Sequence, residues 1–132
     1  MQLEIGSVAT NYEVRSFQHE LQICQRYFEK SYEIGTVPGT ATTTGQQIGI
    51  GNDINDIAVP GDFKEIKRAA PTMIMYNPNS GAVGTMYDFT NGVTYTPSSL
   101  TASSRGMSTL TLSGSTGTAH GFVFQWTASA DI

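Results

Sequence analysis

The sequence predicts an all-β fold, a jelly-roll-like antiparallel β-sandwich preceded by one short N-terminal α-helix. Only 14% of the 132 residues are charged, whereas Gly, Ser and Thr are abundant, and this composition is typical of many short strands and turns. From residue 31 onward, apolar and polar residues alternate with a period of two between turn residues. The length predicts a single folded unit, with an extended lead and helix at 1–33 and the sandwich at 34–132.

The helix is expected from about Phe17 to Lys30, with Ser16 as its N-cap. Its apolar side chains are spaced by four, three and four residues and form a narrow stripe, which is typical of a coiled-coil seam. The stripe consists of Phe17, Leu21, Cys24 and Phe28. Two heptads are too few for a free coiled coil, so we expect the stripe to pack on the β domain, on other copies of the chain, or on both.

The clearest predicted strand is Gly121–Ala128, where the apolar side chains alternate and share one face. A continuous apolar run at Thr72–Tyr76 predicts a central strand that is buried on both faces, either within the chain or by a neighbouring subunit. Two further pairs alternate in the same way: Leu110 with Leu112, and Tyr87 with Phe89, the latter against Met86 and Asp88. Other candidate strands lie at 46–50, 54–59, 63–67 and 99–103, and 35–49 is expected to be a long loop that leads into a strand.

The charge of the chain argues against a nucleic-acid partner. The formal net charge is −4 and the sequence pI is about 4.9, whereas nucleic-acid binders concentrate Lys and Arg in a patch. The longest basic cluster, Lys64, Lys67 and Arg68, is expected to be the solvated side of one strand or a subunit contact. No apolar run approaches the roughly 18 residues of a membrane span, so no membrane insertion is expected.

Few residues suggest chemistry. The single cysteine, Cys24, excludes an intrachain disulfide, and its place on the apolar stripe predicts a buried thiol. The two histidines, His19 and His120, have no carboxylate at a spacing that indicates a triad. The segment Asn52–Asp56 lacks the ligand spacing of a calcium loop and is read as a turn. We therefore expect no enzymatic activity, no cofactor and no metal.

Several blocks of the sequence match a known pattern from one end of the chain to the other. The first comprises Gln2–Glu13 with Arg15, and the second is Glu20–Phe28. The third is Phe63–Thr72, and the last joins Gly121 and Phe122 with Ala128–Ile132. In these blocks the chain resembles the C-terminal module of bacteriophage tail-fibre and tail-spike proteins. It departs from that pattern at Asn11, where the family usually has Pro, and at Glu65, where a β-branched residue is usual.

The resemblance implies a homotrimer in the virion tail, synthesised in the bacterial cytoplasm and attached to the rest of the fibre, with the helical stripe in the trimer interface. It also implies host adsorption through a bacterial surface receptor, with a polysaccharide as the expected class. Exposed aromatic rings beside short polar side chains on loops suit sugar recognition. Such residues surround loops 77–84, 91–98 and 103–106. The candidates are Tyr76, Asn77, Asn79, Tyr87, Asp88, Asn91, Tyr95 and Arg105.

Two alternatives remain open at this stage. The chain could be a purely structural trimerisation cap or particle decoration module without receptor binding. It could also be the non-catalytic terminal part of a polysaccharide-degrading tail spike. Met1 stands directly before the first matched block, which suggests a fragment cut from a longer polypeptide.

Overall fold

The computed structural model describes residues 14–51, 57–59, 61–112 and 119–130. Within this part of the chain, one short helix precedes nine strands, and the strands form a nearly closed antiparallel sheet, so the all-β prediction is confirmed. The elements are α1 (Phe17–Gln25), β1 (Phe28–Lys30), β2 (Gln47–Gly51), β3 (Ile57–Ala58), β4 (Thr72–Tyr76), β5 (Met86–Asp88), β6 (Val93–Tyr95), β7 (Pro97–Ala102), β8 (Met107–Leu112) and β9 (His120–Ser129).

The strand β9 is the centre of the sheet. The strand order is β6-β5-β9-β2-β3-β8-β7, and β1 and β4 also pair with β9. The first half of β9 pairs with β2 and β5, and its second half pairs with β1 and β4. The sequence predicted one apolar face for this strand, but both faces are buried, Gln125 and Thr127 included. Gln125 is satisfied by polar partners, since its side chain bonds Ser31 and the carbonyls of Thr42 and Thr44.

The core lies between the facing parts of this sheet. It contains Ile57, Phe63, Met75, Met86, Met107, Leu110, Leu112, Phe122, Phe124, Trp126 and Ala128. The alternation predicted around β5 is present, but Met86 and Asp88 face the core, whereas Tyr87 is half-buried and Phe89 is exposed. Phe89 instead lies outside against Gly121, where a Cβ would collide with its ring. A polar partner for Asp88 inside the sheet allows this orientation, as described below.

The strand β4 is not the central strand that its apolar run predicted. Thr72 and Ile74 are exposed, and only Met75 and Tyr76 are buried. One edge of β4 pairs with β9, while the end of the other edge is met by the loop at Val83 and Gly84. A cavity of about 220 Å³ separates the rest of that edge from β7. The sheet therefore stays open between β4 and β7.

The helix is shorter than the sequence predicted. Ser16 caps it as expected, because its Oγ accepts a hydrogen bond from the N–H of His19 at 3.3 Å. The helix ends at Gln25, and Phe28–Lys30 forms β1 instead, in register with Ser129–Thr127 of β9. The prediction of helix to Lys30 is wrong because pairing with a distant strand outweighs the last helical turn.

The segment 61–68 is also not the strand that the sequence predicted. It crosses from α1 to the turn between β7 and β8, where Asp62 forms an isolated bridge with Gly106. Within it, Lys64 and Arg68 are exposed as expected, but Lys67 is only 2% exposed. Its Nζ lies 2.5 Å from Glu29 Oε2. The solvated-face prediction is therefore wrong for Lys67, whose charge has a buried carboxylate partner.

Candidate functional site

An apolar groove lies between α1, β1 and the residues that follow β1. The groove has a volume of about 170 Å³. Its apolar lining consists of Leu21, Cys24, Phe28, Tyr32 and Ile34, with Lys30 and Lys64 beside them. A turn at residues 26–27 joins α1 to β1 and places β1 next to the helix. Three of the four predicted seam residues therefore share one surface, although Phe28 is on a strand.

The helix buries none of its residues against the described part of the chain. Phe17 is 71% exposed, Phe28 is 45% exposed and Ile34 is 66% exposed. Cys24 is exposed as well, so the buried thiol predicted from the sequence is absent from the isolated chain. The apolar stripe of α1 thus faces outward.

Polar contacts hold the helix in place under this groove. The Lys67 ammonium donates to the carbonyl of Gln25 at 2.5 Å and to the carbonyl of Glu65 at 3.1 Å, besides its bond to Glu29. The N–H of Arg68 donates to the carbonyl of Arg26. Cations and donors at a helix C-terminus satisfy its free carbonyls. The groove is therefore fixed in shape without burial of the apolar stripe.

A second polar cluster lies beneath the turn between β5 and β6. Asp88 Oδ2 lies 2.6 Å from His120 Nδ1, and Asp88 Oδ1 accepts the N–H groups of Thr90 and Asn91 at 2.8 and 3.1 Å. Burial by itself would raise the pKa of Asp88, but the bonds from His120, Asn91 and Thr90 outweigh burial and hold the pKa below its usual value. The cluster fastens the turn to the start of β9.

This cluster has the residue types of a catalytic dyad but lacks access. The Asp88 side chain is 0% exposed and the His120 side chain is 3% exposed. The neighbouring hydroxyl, Thr90 Oγ1, accepts the N–H of Gly121 at 3.0 Å and so acts in the turn. Among the described residues, no group of three or more His, Cys, Asp or Glu could hold a metal ion. The absence of enzymatic activity stays a prediction, which an assay for reducing ends released from polysaccharide checks.

Internal contacts engage several of the predicted receptor residues. Tyr76, Asn77 and Asp88 are buried. The ring of Tyr76 meets Tyr32 edge to face with centroids 5.9 Å apart. The Asn77 side chain accepts from the N–H of Asn79 and donates to Thr94 Oγ1. These residues support their loops in the isolated chain.

The other five predicted receptor residues reach the surface to different degrees. Tyr87 and Tyr95 are half-buried, and Tyr95 packs edge to face on Phe122. Asn79, Asn91 and Arg105 are exposed. Their part in receptor binding stays a prediction.

The three predicted receptor loops do not meet at one place. The bond from Asn77 to Thr94 joins loop 77–84 to stretch 91–98. Loop 103–106 instead packs on segment 61–67, where the N–H of Phe63 donates to Arg105 and the N–H of Lys67 donates to Ser104, both at 2.8 Å. Loop 103–106 therefore lies near α1 and the groove.

Comparison with family models, curated proteins and solved structures finds no match to this chain. In the part of the chain that the structure describes, no helix is long and apolar enough to cross a membrane. The fold, the apolar groove and the exposed loops are therefore the physical basis for a functional proposal.

Proposed function

We propose that the chain is the terminal domain of a bacteriophage tail fibre or tail spike, which assembles as a homotrimer and binds a receptor on the bacterial surface. A polysaccharide is the expected receptor class. The sequence resemblance suggests this role, and the exposed groove of α1 and β1 is the structural observation that supports it.

The groove supports self-association because Cys24, Phe28 and Ile34 in its lining are exposed in the part of the chain that the structure describes. Burial of one large apolar side chain is worth about 1.5–3 kcal/mol, and contiguous exposed apolar patches commonly mark interaction sites. Phe17 projects from the first turn of the same helix that lines the groove, so each copy carries both an apolar projection and an apolar depression. Copies of the chain therefore offer one another complementary apolar surfaces.

Light scattering at micromolar concentration tests the assembly. The expected mass is three times the 14.2 kDa of one chain. A particle with the mass of a single chain would refute the trimer.

Receptor binding is proposed for the exposed parts of the three loops. Each site can be weak, because three copies in one trimer and many fibres on one particle raise the effective affinity. The experiment replaces loops 77–84, 91–98 and 103–106 one at a time with Gly/Ser sequence and measures adsorption of the trimer to host cells. At least one replacement is expected to reduce adsorption while the trimer mass is unchanged.

A structural trimerisation cap is the second candidate function. The burial of Tyr76, Asn77 and Asp88 favours it, because these side chains are already committed to internal contacts. Adsorption that survives all three replacements, or a parent trimer that does not adsorb, would favour the cap.

A further inference from the structure

Arg105 lines a surface depression that the sequence gives no means of finding. The depression has a volume of about 190 Å³ and is lined by Asp62, Phe63, Ile66 and Arg105. It lies where the turn between β7 and β8 packs on segment 61–67. Residues from two distant parts of the chain thus form its walls.

Backbone contacts fix the shape of this depression. The N–H of Phe63 donates to the carbonyl of Arg105 at 2.8 Å, and the N–H of Met107 donates to the carbonyl of Gly61 at 2.9 Å. Gly106 lies so close to Gly61 and Asp62 that a Cβ would collide with their backbone. Polar groups on a backbone held in this way lose little freedom on binding a ligand.

The two charged groups of the depression are available to a ligand. Asp62 and Arg105 are exposed, and neither side chain forms a hydrogen bond or ion pair with another described residue. The carboxylate offers two acceptor oxygens and the guanidinium offers a fork of donors. Ile66 is 57% exposed beside them and provides an apolar wall, while the buried Phe63 lies behind.

We propose that this depression is a subsite for one neutral hexopyranose unit of a polysaccharide, an inference that rests on the proposed receptor-binding function. Vicinal hydroxyls donate to the Asp62 carboxylate, Arg105 donates to a hydroxyl or ring oxygen, and the C–H face of the sugar lies on Ile66. The volume is below the roughly 300–1,000 Å³ of sites for drug-sized ligands, which fits one sugar ring. Asp62 and the net charge of −4 disfavour an acidic sugar.

The experiment follows the backbone amides of the isotopically labelled full chain by NMR. The probes are the methyl glycosides of glucose, galactose, mannose and N-acetylglucosamine, with methyl glucuronide as the acidic comparison. At least one neutral glycoside is expected to shift amides at 62–66 and 103–106 and to bind more tightly than the glucuronide.

Two variants and two matched controls test the assigned contacts. Asp62→Asn and Arg105→Gln are expected to weaken binding by roughly tenfold or more, since each removes a charge-assisted hydrogen bond. Glu33→Gln and Arg26→Gln change exposed charges that do not line the depression, and they are expected to bind like the parent. Spectra of the free variants that superimpose on the parent show that each is folded.

Several outcomes would overturn the subsite. They are an absence of shifts at the depression with every probe, shifts that occur only elsewhere, tighter binding of the glucuronide, or unchanged binding by both variants. Host adsorption by the parent without sugar binding at the depression would refute the subsite alone. Sugar binding at the depression by a chain that does not adsorb to host cells would instead refute the proposed receptor function.

Discussion

Two buried polar pairs hold two different regions of the molecule, and their surroundings differ. Lys67 and Glu29 join segment 61–68 to β1 and the end of α1, where the nearby groove residues Cys24 and Phe28 are exposed. Asp88 and His120 join the β5–β6 turn to β9, where the ring of His120 stacks on the buried Phe122. The β5–β6 turn therefore packs next to the buried core, whereas the end of the helix is held by polar contacts. This difference explains how the helix is held in place while Phe17 and Cys24 on its apolar stripe are exposed.

The largest expected effect of breaking either pair is at Lys67. Lys67→Ala leaves Glu29 buried without its cation, so the free energy of unfolding should fall by about 3–5 kcal/mol. Urea unfolding followed by tryptophan fluorescence measures this. Glu33→Ala is the control, because that side chain is exposed, does not line the groove and should change the free energy by less than about 0.5 kcal/mol. A Lys67→Ala protein as stable as this control would show that the pair does not hold the helix.

A smaller loss is expected at the other pair. Asp88→Ala removes the acceptor of His120 and of the N–H groups of Thr90 and Asn91, which should cost about 1–3 kcal/mol. A double-mutant cycle with His120→Ala should give a coupling energy of about 0.5–3 kcal/mol. Additive effects of the two substitutions would contradict a direct interaction.

Acid should abolish the contribution of Asp88 to the free energy of unfolding. Its folded-state pKa lies below that of the unfolded chain, because the hydrogen bonds to the carboxylate outweigh the effect of burial. Its stabilisation is therefore fully present above the unfolded pKa of about 3.9 and is lost as the pH falls through the folded pKa. Urea midpoints of the parent and Asp88→Asn, measured from neutral to strongly acidic pH, should begin to converge near about pH 4 and should meet once the pH is below the folded-state pKa of Asp88. A constant difference across that range would show that the carboxylate charge is not the cause.

The smallest effect on the fold is expected from Leu21→Asp. Leu21 is only half-buried, so the single chain should lose about 0.5 kcal/mol, mainly through helix propensity. The proposed trimer should nevertheless dissociate, because the substitution places a charge in a desolvated contact. Light scattering measures the mass and circular dichroism checks the fold. Gln22→Asp, on the exposed face of the same helix, is the control. A folded, trimeric Leu21→Asp protein would show that the helix packs elsewhere.

Short-range sequence patterns predicted the elements whose positions depend mainly on neighbouring residues. The period of two located β8 and β9, and Ser16 marked the start of α1. The end of α1 could not be predicted because Phe28–Lys30 pairs with residues 127–129, which lie near the other end of the sequence. The buried face of β5 could not be predicted either, since Asp88 points inward because of its contacts with His120, Thr90 and Asn91.

The surfaces proposed for function also combine features that the sequence predicts with features that depend on long-range contacts. The helical spacing brought Leu21 and Cys24 to one groove as predicted, but Phe28 reaches it through the turn at residues 26–27. The depression at Arg105 depends on the packing of two segments about forty residues apart, for which the sequence carries no periodic signal. Charges that have no partner among the described residues, such as Asp62 and Arg105, become recognisable only once the neighbouring backbone is placed.

The position of β9 determines when this fold can form during synthesis on the ribosome. The strands β1, β2, β4 and β5 all precede it, and all of them bond to it. Until residues 120–129 leave the exit tunnel, those four strands have open edges, and nascent chains with open edges can pair with one another. Folding must therefore wait for the synthesis of β9 and is limited by long-range loop closure. Slower or cooler expression should raise the soluble yield, since it lowers the concentration of chains waiting for β9.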